Sequence, residues 1–363
     1  MTRATQRTST GSPPAIDWTR VERVLLIRLR SIGDTVLMTP CLQALNDWRP
    51  GVKLSVVIEP LAAPVLEGHP LIAHLFVTEK SIASKRTLIG RLRREKFDLA
   101  FNLHGGTTGM LIASKCGAKH TFAYRGQRGS WMLTDRAPGP DVILKRDRIH
   151  SVEQQLALLH WAGVPMPAKA QLALQIDSDA AISARAKLAA EFPAAQLTSS
   201  RFAIVAPGAT FESKRWSSRR FSAVIDHLAN RWRLESLIVA GPGQQRLAAE
   251  IAESSNSRPR VLSGVTLAEL KAVIGDFGRI FIGNDSGPMH LAAALKCPIV
   301  AVFGSSNPDV WRPWTDSPCR VLGGERGRPD NEIRNTIDKI TVDQVISAVD
   351  EVLEAAAAKS ASL

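Results

Sequence analysis

The stretch RVLLIRLRSIGDTVLMTPCLQALNDW, Arg23 to Trp48, decides how the chain is read. Its first part, RVLLIRL, is a nearly unbroken apolar run, as in a strand covered on both faces. Its second part places Leu37, Cys41, Leu42 and Leu45 on one side of a helix. Between them stands a polar turn with a glycine, RSIGD. A covered strand that feeds a helix through such a turn is half of a βαβ unit, and a series of such units makes a parallel sheet.

The same alternation continues outward from this unit. KLSVVIE, IAHLFVT, FDLAFNL and HTFAY read as strands; TLIGRLRREK, TTGMLIASKCG and HSVEQQLALLHWAG read as helices, the last ended by Gly163. The segment VPMPAKAQLALQI is rich in Pro and Ala and breaks the pattern, which places a linker around residues 163–170. The scheme then resumes with the strands FAIVAPG, ESLIVAGPG, GRIFIGND and PIVAVFGSS and the helices SSRRFSAVIDHLANRW, QQRLAAEIAESS, TLAELKAVIGD and PMHLAAALK. TVDQVISAVDEVLEAAAAK is a final amphipathic helix. The expected organisation is a disordered tail over residues 1–20, an α/β domain over 21–165, a second over 166–340 and a C-terminal helix over 341–363. Two doubly wound α/β domains with a cleft between them would hold ligands at the carboxyl ends of their strands.

Composition narrows the partners. With 363 residues, 45% of them hydrophobic and 22% charged, the chain is long enough for two cores, and it has no apolar run near the length of a membrane span. The start, MTRATQRTSTGSPPAIDW, lacks the apolar core of a secretory signal, so the expected location is cytoplasmic. Cys41, Cys116, Cys297 and Cys319 lie far apart without CxxC or Cys/His spacing, which argues against a disulfide frame and a zinc site. Lys and Arg total 46 against 34 Asp and Glu, a net charge of +12 that attracts polyanions. The cations gather from Glu79 to Asp98 and from Lys115 to Arg148. Tyr124 is the only tyrosine and no reader motif is present, which disfavours nucleic acid and leaves anionic headgroups, a phosphorylated substrate or a simple solvated face.

Three strand ends carry polar loops. In RLRSIGDT, Asp34 is either a helix N-cap or a carboxylate able to take a proton from a bound hydroxyl. In APGATFESKRWSSRRF, hydroxyls and Gly208 gather with Lys214 and Arg215, which suits a diphosphate; the plain alternative is a solvated loop with Trp216 covering the next helix. In IGNDSGPMHLAAAL, Pro288 opens a helix whose free N–H groups, beside Ser286 and Gly287, form an anion site. Asp285 there points to sugar hydroxyls or braces the turn, and His290 is otherwise a satisfied helix histidine. No GxxxxGK[ST] or GxSxG motif, no GxGxxG at a strand end and no metal-ligand histidine pair occurs.

Together the loops VLLIRLRSIGDTVLMTPCLQAL, PGATFESKRWSSRRFSAVIDHL, AGPGQ and GNDSGPMHLAAALKCPIVAVFGSSNPDVWRPW resemble the successive motifs of glycosyltransferase family 9, the bacterial lipopolysaccharide heptosyltransferases, over nearly the whole chain. The resemblance implies a GT-B fold of two Rossmann-like domains, the second holding the nucleotide sugar and the first the acceptor. It implies an inverting, metal-independent transfer without cofactor, from ADP-heptose to the inner core of a lipid-anchored saccharide. Asp34 would be the base; Thr210, Ser213, Lys214, Ser286 and Gly287 would hold the donor diphosphate; Asp285 would meet sugar hydroxyls, His290 would support that loop and Val265 would touch the adenine. Lys85, Arg86 and His104 would serve the anionic acceptor, and the enzyme would sit on the inner face of the inner membrane, drawn by Lys85, Arg86, Arg91, Arg93 and Arg94. Family members often carry an acidic residue after GPG for the ribose; Gln244 and Gln245 stand here. GGERGRPDNEIRNTIDKI replaces the cysteine-bearing segment that many carry before the last helix. Competing expectations are a nucleotide-sugar epimerase on the same fold and a non-catalytic sugar-nucleotide binding protein.

Overall fold

A computed structural model describes residues 12–192, 201–327 and 336–361. The chain divides into two compact units, Met1–Gln171 and Leu172–Leu363. In the first unit the order is β1 (Arg23–Ile27), α1 (Ile32–Trp48), β2 (Lys53–Ile58), β3 (Ile72–Val77), α2 (Ile82–Glu95), β4 (Leu99–Asn102), α3 (Thr107–Lys115), β5 (His120–Tyr124), β6 (Asp135–Ala137), α4 (Pro140–Leu144) and α5 (Ser151–Trp161). Its six strands are all parallel, in the order β3-β2-β1-β4-β5-β6. Val24, Leu25, Leu26 and Ile27 are fully buried, because helices cover both faces of a central parallel strand.

The second unit runs α6 (Ser178–Glu191), β7 (Phe202–Ala206), α7 (Ser218–Trp232), β8 (Ser236–Val239), α8 (Gln245–Ser254), β9 (Arg260–Leu262), α9 (Leu267–Phe277), β10 (Gly278–Asn284), α10 (Gly287–Ala294), β11 (Ile299–Phe303), α11 (Pro308–Trp311), β12 (Cys319–Gly323) and α12 (Val342–Ala361). Its six strands are also parallel, in the order β12-β11-β10-β7-β8-β9. Numbered within each unit, both sheets read 3-2-1-4-5-6, the Rossmann order. The winding reverses between the first and fourth strands, so connections on either side leave toward opposite faces and open a crevice at the carboxyl ends. These crevices lie at β1/β4 and β7/β10.

The C-terminal helix is part of the second unit. Val345, Ala348, Val349, Val352, Leu353 and Ala356 form a buried stripe at helical spacing that packs on β11, β12 and α7. Asp350 ties it further, accepting from His227 Nε2 at 2.7 Å and Trp232 Nε1 at 2.6 Å. Of the neighbouring segment, GGERGRPDNEIRNTIDKI, residues 328–335 lie outside the described residues.

The start of the chain corrects one expectation in part. Residues 1–11 lie outside the described residues, but Trp18–Arg20 form a 3-10 turn capped by Asp17. Trp18 Nε1 donates to the Ala162 carbonyl at 2.9 Å, so this end of the expected tail is fastened to the first unit. A stretch with neither helix nor strand joins α5 to α6, and the division between the units falls inside it. Cys41, Cys116 and Cys297 are buried and Cys319 is partly so, all as free thiols.

Candidate active site

In the first unit the site begins where β1 stops. Ser31, rather than Asp34, is the N-cap of α1. Asp34 is the third helical residue, and its carboxylate reaches back to Ser31, accepting from the backbone N–H at 3.3 Å and from Oγ at 2.9 Å. The reading of Asp34 as the cap itself is therefore replaced by a reciprocal arrangement in which Asp34 braces the cap. The second partner of Asp34 is the Arg28 guanidinium, which also donates to the Leu103 carbonyl just past β4. Arg28 is buried, and burial lowers its guanidinium to about 10, still charged at neutral pH. Its side chain is 9% exposed, that of Asp34 20%, so the carboxylate is the more accessible member of the pair.

His104 stands across this crevice at the end of β4. Its backbone N–H donates to Asn102 Oδ1 at 3.2 Å. Burial, then the charges of Arg28 and Arg30, hold its imidazole down at about 4, so it is neutral at pH 7. Lys85 and Arg86 lie in the first turn of α2, after β3 at the sheet margin. Farther along α2, Arg91 stacks over the Phe76 ring at 5.1 Å and Arg93 donates to the Lys115 carbonyl at 2.9 Å. Two cations of the expected membrane-attracting run thus have uses inside the fold.

In the second unit three strand ends meet. Lys214, on a 3-10 turn after β7, donates to Asp285 Oδ2 at 2.6 Å, and Ser306 Oγ beyond β11 donates to the same oxygen at 2.5 Å. Ser213 and Ser305 join their hydroxyls at 2.7 Å. Asn284 is fully buried and bolts the first two loops together: its Nδ2 donates to the Pro207 carbonyl at 2.6 Å, and its Oδ1 accepts from the Trp216 N–H at 3.1 Å. Trp216 does not merely cover a helix edge. It is 2% exposed, edge-on to Phe221, with Nε1 donating to the Ile340 carbonyl.

Asp285 holds the Lys214 ammonium and the Ser306 hydroxyl, both through Oδ2. Beside it α10 opens at Gly287 with Ser286 as N-cap and Pro288 in the first turn. Among the described residues, Ser286 Oγ and His290 Nδ1 are buried polar atoms without a hydrogen-bond partner. His290 is 4% exposed; burial, helped by Lys214 and opposed by Asp285, lowers its imidazole to about 4. Two such orphans at the positive end of a helix make a place that a ligand's oxygens would complete.

The remaining donor candidates are more dispersed. Thr210 is exposed at the bend of the β7 loop, and Val265 is half-buried just before α9. Gln244 is not aimed outward: Oε1 accepts from the Gly241 N–H at 3.2 Å, and the carboxamide lies so close to Gly208 that a Cβ there would fall 1.9 Å from Oε1. A side chain at position 208 would displace the Gln244 carboxamide from between the two loops. Arg28, Ser31, Asn284, Ser305 and Ser306 were not singled out from sequence. The hydroxyl pair in FGSSN, at a strand end, was a usable signal; a lone asparagine closing an apolar strand was a fainter one.

Among the described residues no group of three or more His, Cys, Asp or Glu side chains is placed to hold a metal ion. The family model of glycosyltransferase family 9 (heptosyltransferase) matches residues 85–341. This chain belongs to glycosyltransferase family 9. The resemblance seen in the loops is therefore confirmed, and the protein is a glycosyltransferase. Family members similar to it include lipopolysaccharide heptosyltransferase 3 of Escherichia coli, 29% identical over 90% of this chain and 97% of that protein. The solved family 9 glycosyltransferase of Veillonella parvula has a TM-score of 0.82 at 24% identity, covering 94% of this chain and 99% of that one. The E. coli ADP-heptose lipopolysaccharide heptosyltransferase II has a TM-score of 0.75 at 23% identity, covering 92% and 98%. These likenesses establish the GT-B architecture of two Rossmann-like units.

Proposed function

We propose that the protein moves a heptosyl group from ADP-heptose to an anionic, lipid-linked saccharide, the inner core of lipopolysaccharide, with inversion at the anomeric carbon. The observation that carries this reading is the β7/β10 crevice: a partly exposed Lys214 ammonium, two orphaned polar atoms and the N-terminus of α10, all suited to a diphosphate. Adenine and heptose are supported by the relatives, one of which is described as an ADP-heptose enzyme. An acceptor rich in acidic groups agrees with the net charge of +12.

In this mechanism Asp34 takes the proton of the acceptor hydroxyl as its oxygen attacks the anomeric carbon from the face opposite the diphosphate. The bond from that carbon to the β-phosphate oxygen breaks, and its electron pair leaves on ADP. Lys214 and the positive end of the α10 dipole meet the charge that develops there, which is where fixed dipoles and charges accelerate a reaction. His290, neutral at pH 7, offers Nδ1 to the donor as either hydrogen-bond donor or acceptor. Lys85, Arg86 and His104 face the acceptor, Thr210 and Ser213 the donor phosphates, and Val265 the adenine. Among the described residues no helix is long and apolar enough to cross a membrane. The lipid-linked acceptor is met from the cytoplasmic side of the inner membrane, by attachment to its surface.

Calorimetry with ADP-heptose, ADP, and GDP- and UDP-sugars tests the donor site, followed by product analysis by NMR. ADP-heptose is expected to bind most tightly and to give a product of opposite anomeric configuration. Preference for a UDP-sugar, or retention of configuration, overturns the reading. Conversion of the sugar without an acceptor would make the protein an epimerase.

A further inference from the structure

Because every strand of the first sheet is parallel, all six of its carboxyl ends lie on one edge. The two central ends, those of β1 and β4, lead to Asp34 and His104. The connections leaving β1 and β4 carry Trp48 at 43% and Leu111 at 40% exposure, both within their helices, and the outer connections carry more exposed side chains. The four most exposed large apolar side chains of this unit are Trp131 at 76%, Leu61 at 72%, Ile82 at 71% and Val142 at 60%. Each lies on the connection leaving a different outer strand: Leu61 after β2, Ile82 after β3, Trp131 after β5 and Val142 in α4 after β6. Singly exposed apolar residues are ordinary. One on each outer connection, flanking a polar centre on both sides, is a pattern.

Cations accompany Ile82, Trp131 and Val142, whereas the connection that carries Leu61 holds Glu59 and Glu67 and no Lys or Arg. Lys80, Lys85 and Arg86 border Ile82, with Glu79 the nearby carboxylate. The connection from Arg125 to Thr134, which carries Trp131, holds two exposed arginines and no carboxylate. Lys145 is exposed beside Val142, where Asp141 is the opposing charge and Arg146 is paired with Glu153. Arg94, by contrast, ends α2 roughly 18 Å along the helix from Ile82, toward the other edge of the sheet. The basic run from Lys85 to Arg94 therefore does not act as one patch.

We propose that this edge is a membrane-seating rim. The four apolar side chains enter the headgroup region of an anionic leaflet, the flanking cations hold its charge, and the β1/β4 crevice between them receives the saccharide that stands up from the lipid. Apolar insertion with electrostatic attraction is the two-part signal of reversible membrane attachment, and Trp favours the bilayer–water interface. The edge spans roughly 24 Å at the usual strand spacing, wide enough for both flanks to touch lipid while a sugar occupies the centre. The inference rests on the reading of Asp34 as the base for a lipid-linked acceptor, and it adds where that lipid lies.

The test uses the full chain and sedimentation with vesicles of phosphatidylethanolamine and phosphatidylglycerol, against phosphatidylcholine alone. The Leu61→Ser, Ile82→Ser, Trp131→Ser triple variant is expected to lose binding to the anionic vesicles by about tenfold or more. It should keep wild-type turnover on a delipidated saccharide, and Trp131→Phe should retain vesicle binding. Equal sedimentation of wild type and triple variant overturns the proposal, as does a wild type that ignores anionic vesicles. A raised KM for the delipidated saccharide with unchanged vesicle binding also overturns it, and makes Trp131 a sugar platform. Vesicle binding lost in the triple variant, in a protein that transfers no sugar to any acceptor, upholds the rim and sinks the transferase reading instead.

Discussion

The two carboxyl edges use the same device with its polarity reversed. At β1/β4 a cation, Arg28, is buried at 9% exposure and its carboxylate partner Asp34 stands at 20%. At β7/β10 the carboxylate, Asp285, is buried at 6% and its cation partner Lys214 stands at 25%. Largely desolvated ion pairs contribute little net stability, since desolvation offsets most of the attraction. Their value here lies in what is presented: the first unit offers a carboxylate suited to accept a proton, the second an ammonium suited to meet a phosphate. A histidine held neutral near each pair keeps further positive charge out of both crevices at pH 7.

The largest effect should come from Asp34→Asn. Turnover is expected to fall about a thousandfold, because an amide cannot take the proton, while the donor dissociation constant from calorimetry stays within about twofold. Wild-type turnover would reduce Asp34 to a brace for Ser31 and make the two edges unlike in kind.

Lys214→Met breaks the other pair. It should weaken donor binding about a hundredfold and, by leaving the Asp285 carboxylate buried with Ser306 alone, cost about 2–3 kcal/mol in denaturant unfolding. The Lys214→Met, Asp285→Asn double variant should regain most of that stability and none of the donor affinity. Recovery of both would mean that the ammonium serves the fold and not a ligand.

The smallest effect concerns the histidines. Each has a folded value near 4, below the unfolded value of about 6.5. Between these pH values the unfolded chain binds protons that the folded chain refuses, so the stability they contribute is present above about pH 6.5 and is lost as pH falls toward 4. Melting temperature should therefore decline by a few degrees from pH 7 to pH 5, and His290→Gln and His104→Gln should flatten that decline to similar extents, because both imidazoles are held down to about 4. Flattening by only one of the two would show that the edges differ in this way.

Much of the architecture was legible because its signal is local. β1, β7, β10 and β11 are continuous apolar runs, and the helices between them repeat near 3.6 residues. The short outer strands β6 and β9, DRA and RVL, were not read, since three residues, one of them buried in each, carry no period. Nor was α6, SDAAISARAKLAAE, in which only Ala184 and Leu188 are buried. Asp34, Lys214, Ser286 and His290 stood out because they sit in polar loops at strand ends. Arg28 and Asn284 did not, since their polar groups belong to networks formed with Leu103, Pro207 and Trp216, distant in the chain.

The sequence by itself determined that this is a two-part α/β protein of glycosyltransferase family 9, because apolar periodicity and the residue spacing within a loop are properties of short segments. Only the tertiary structure decided which member of each ion pair is sheltered and which is presented, and that the connections carrying Leu61, Ile82, Trp131 and Val142 leave the sheet at the same edge as the one carrying Asp34. Burial and the company of distant strands depend on how segments pack, and no local pattern encodes them.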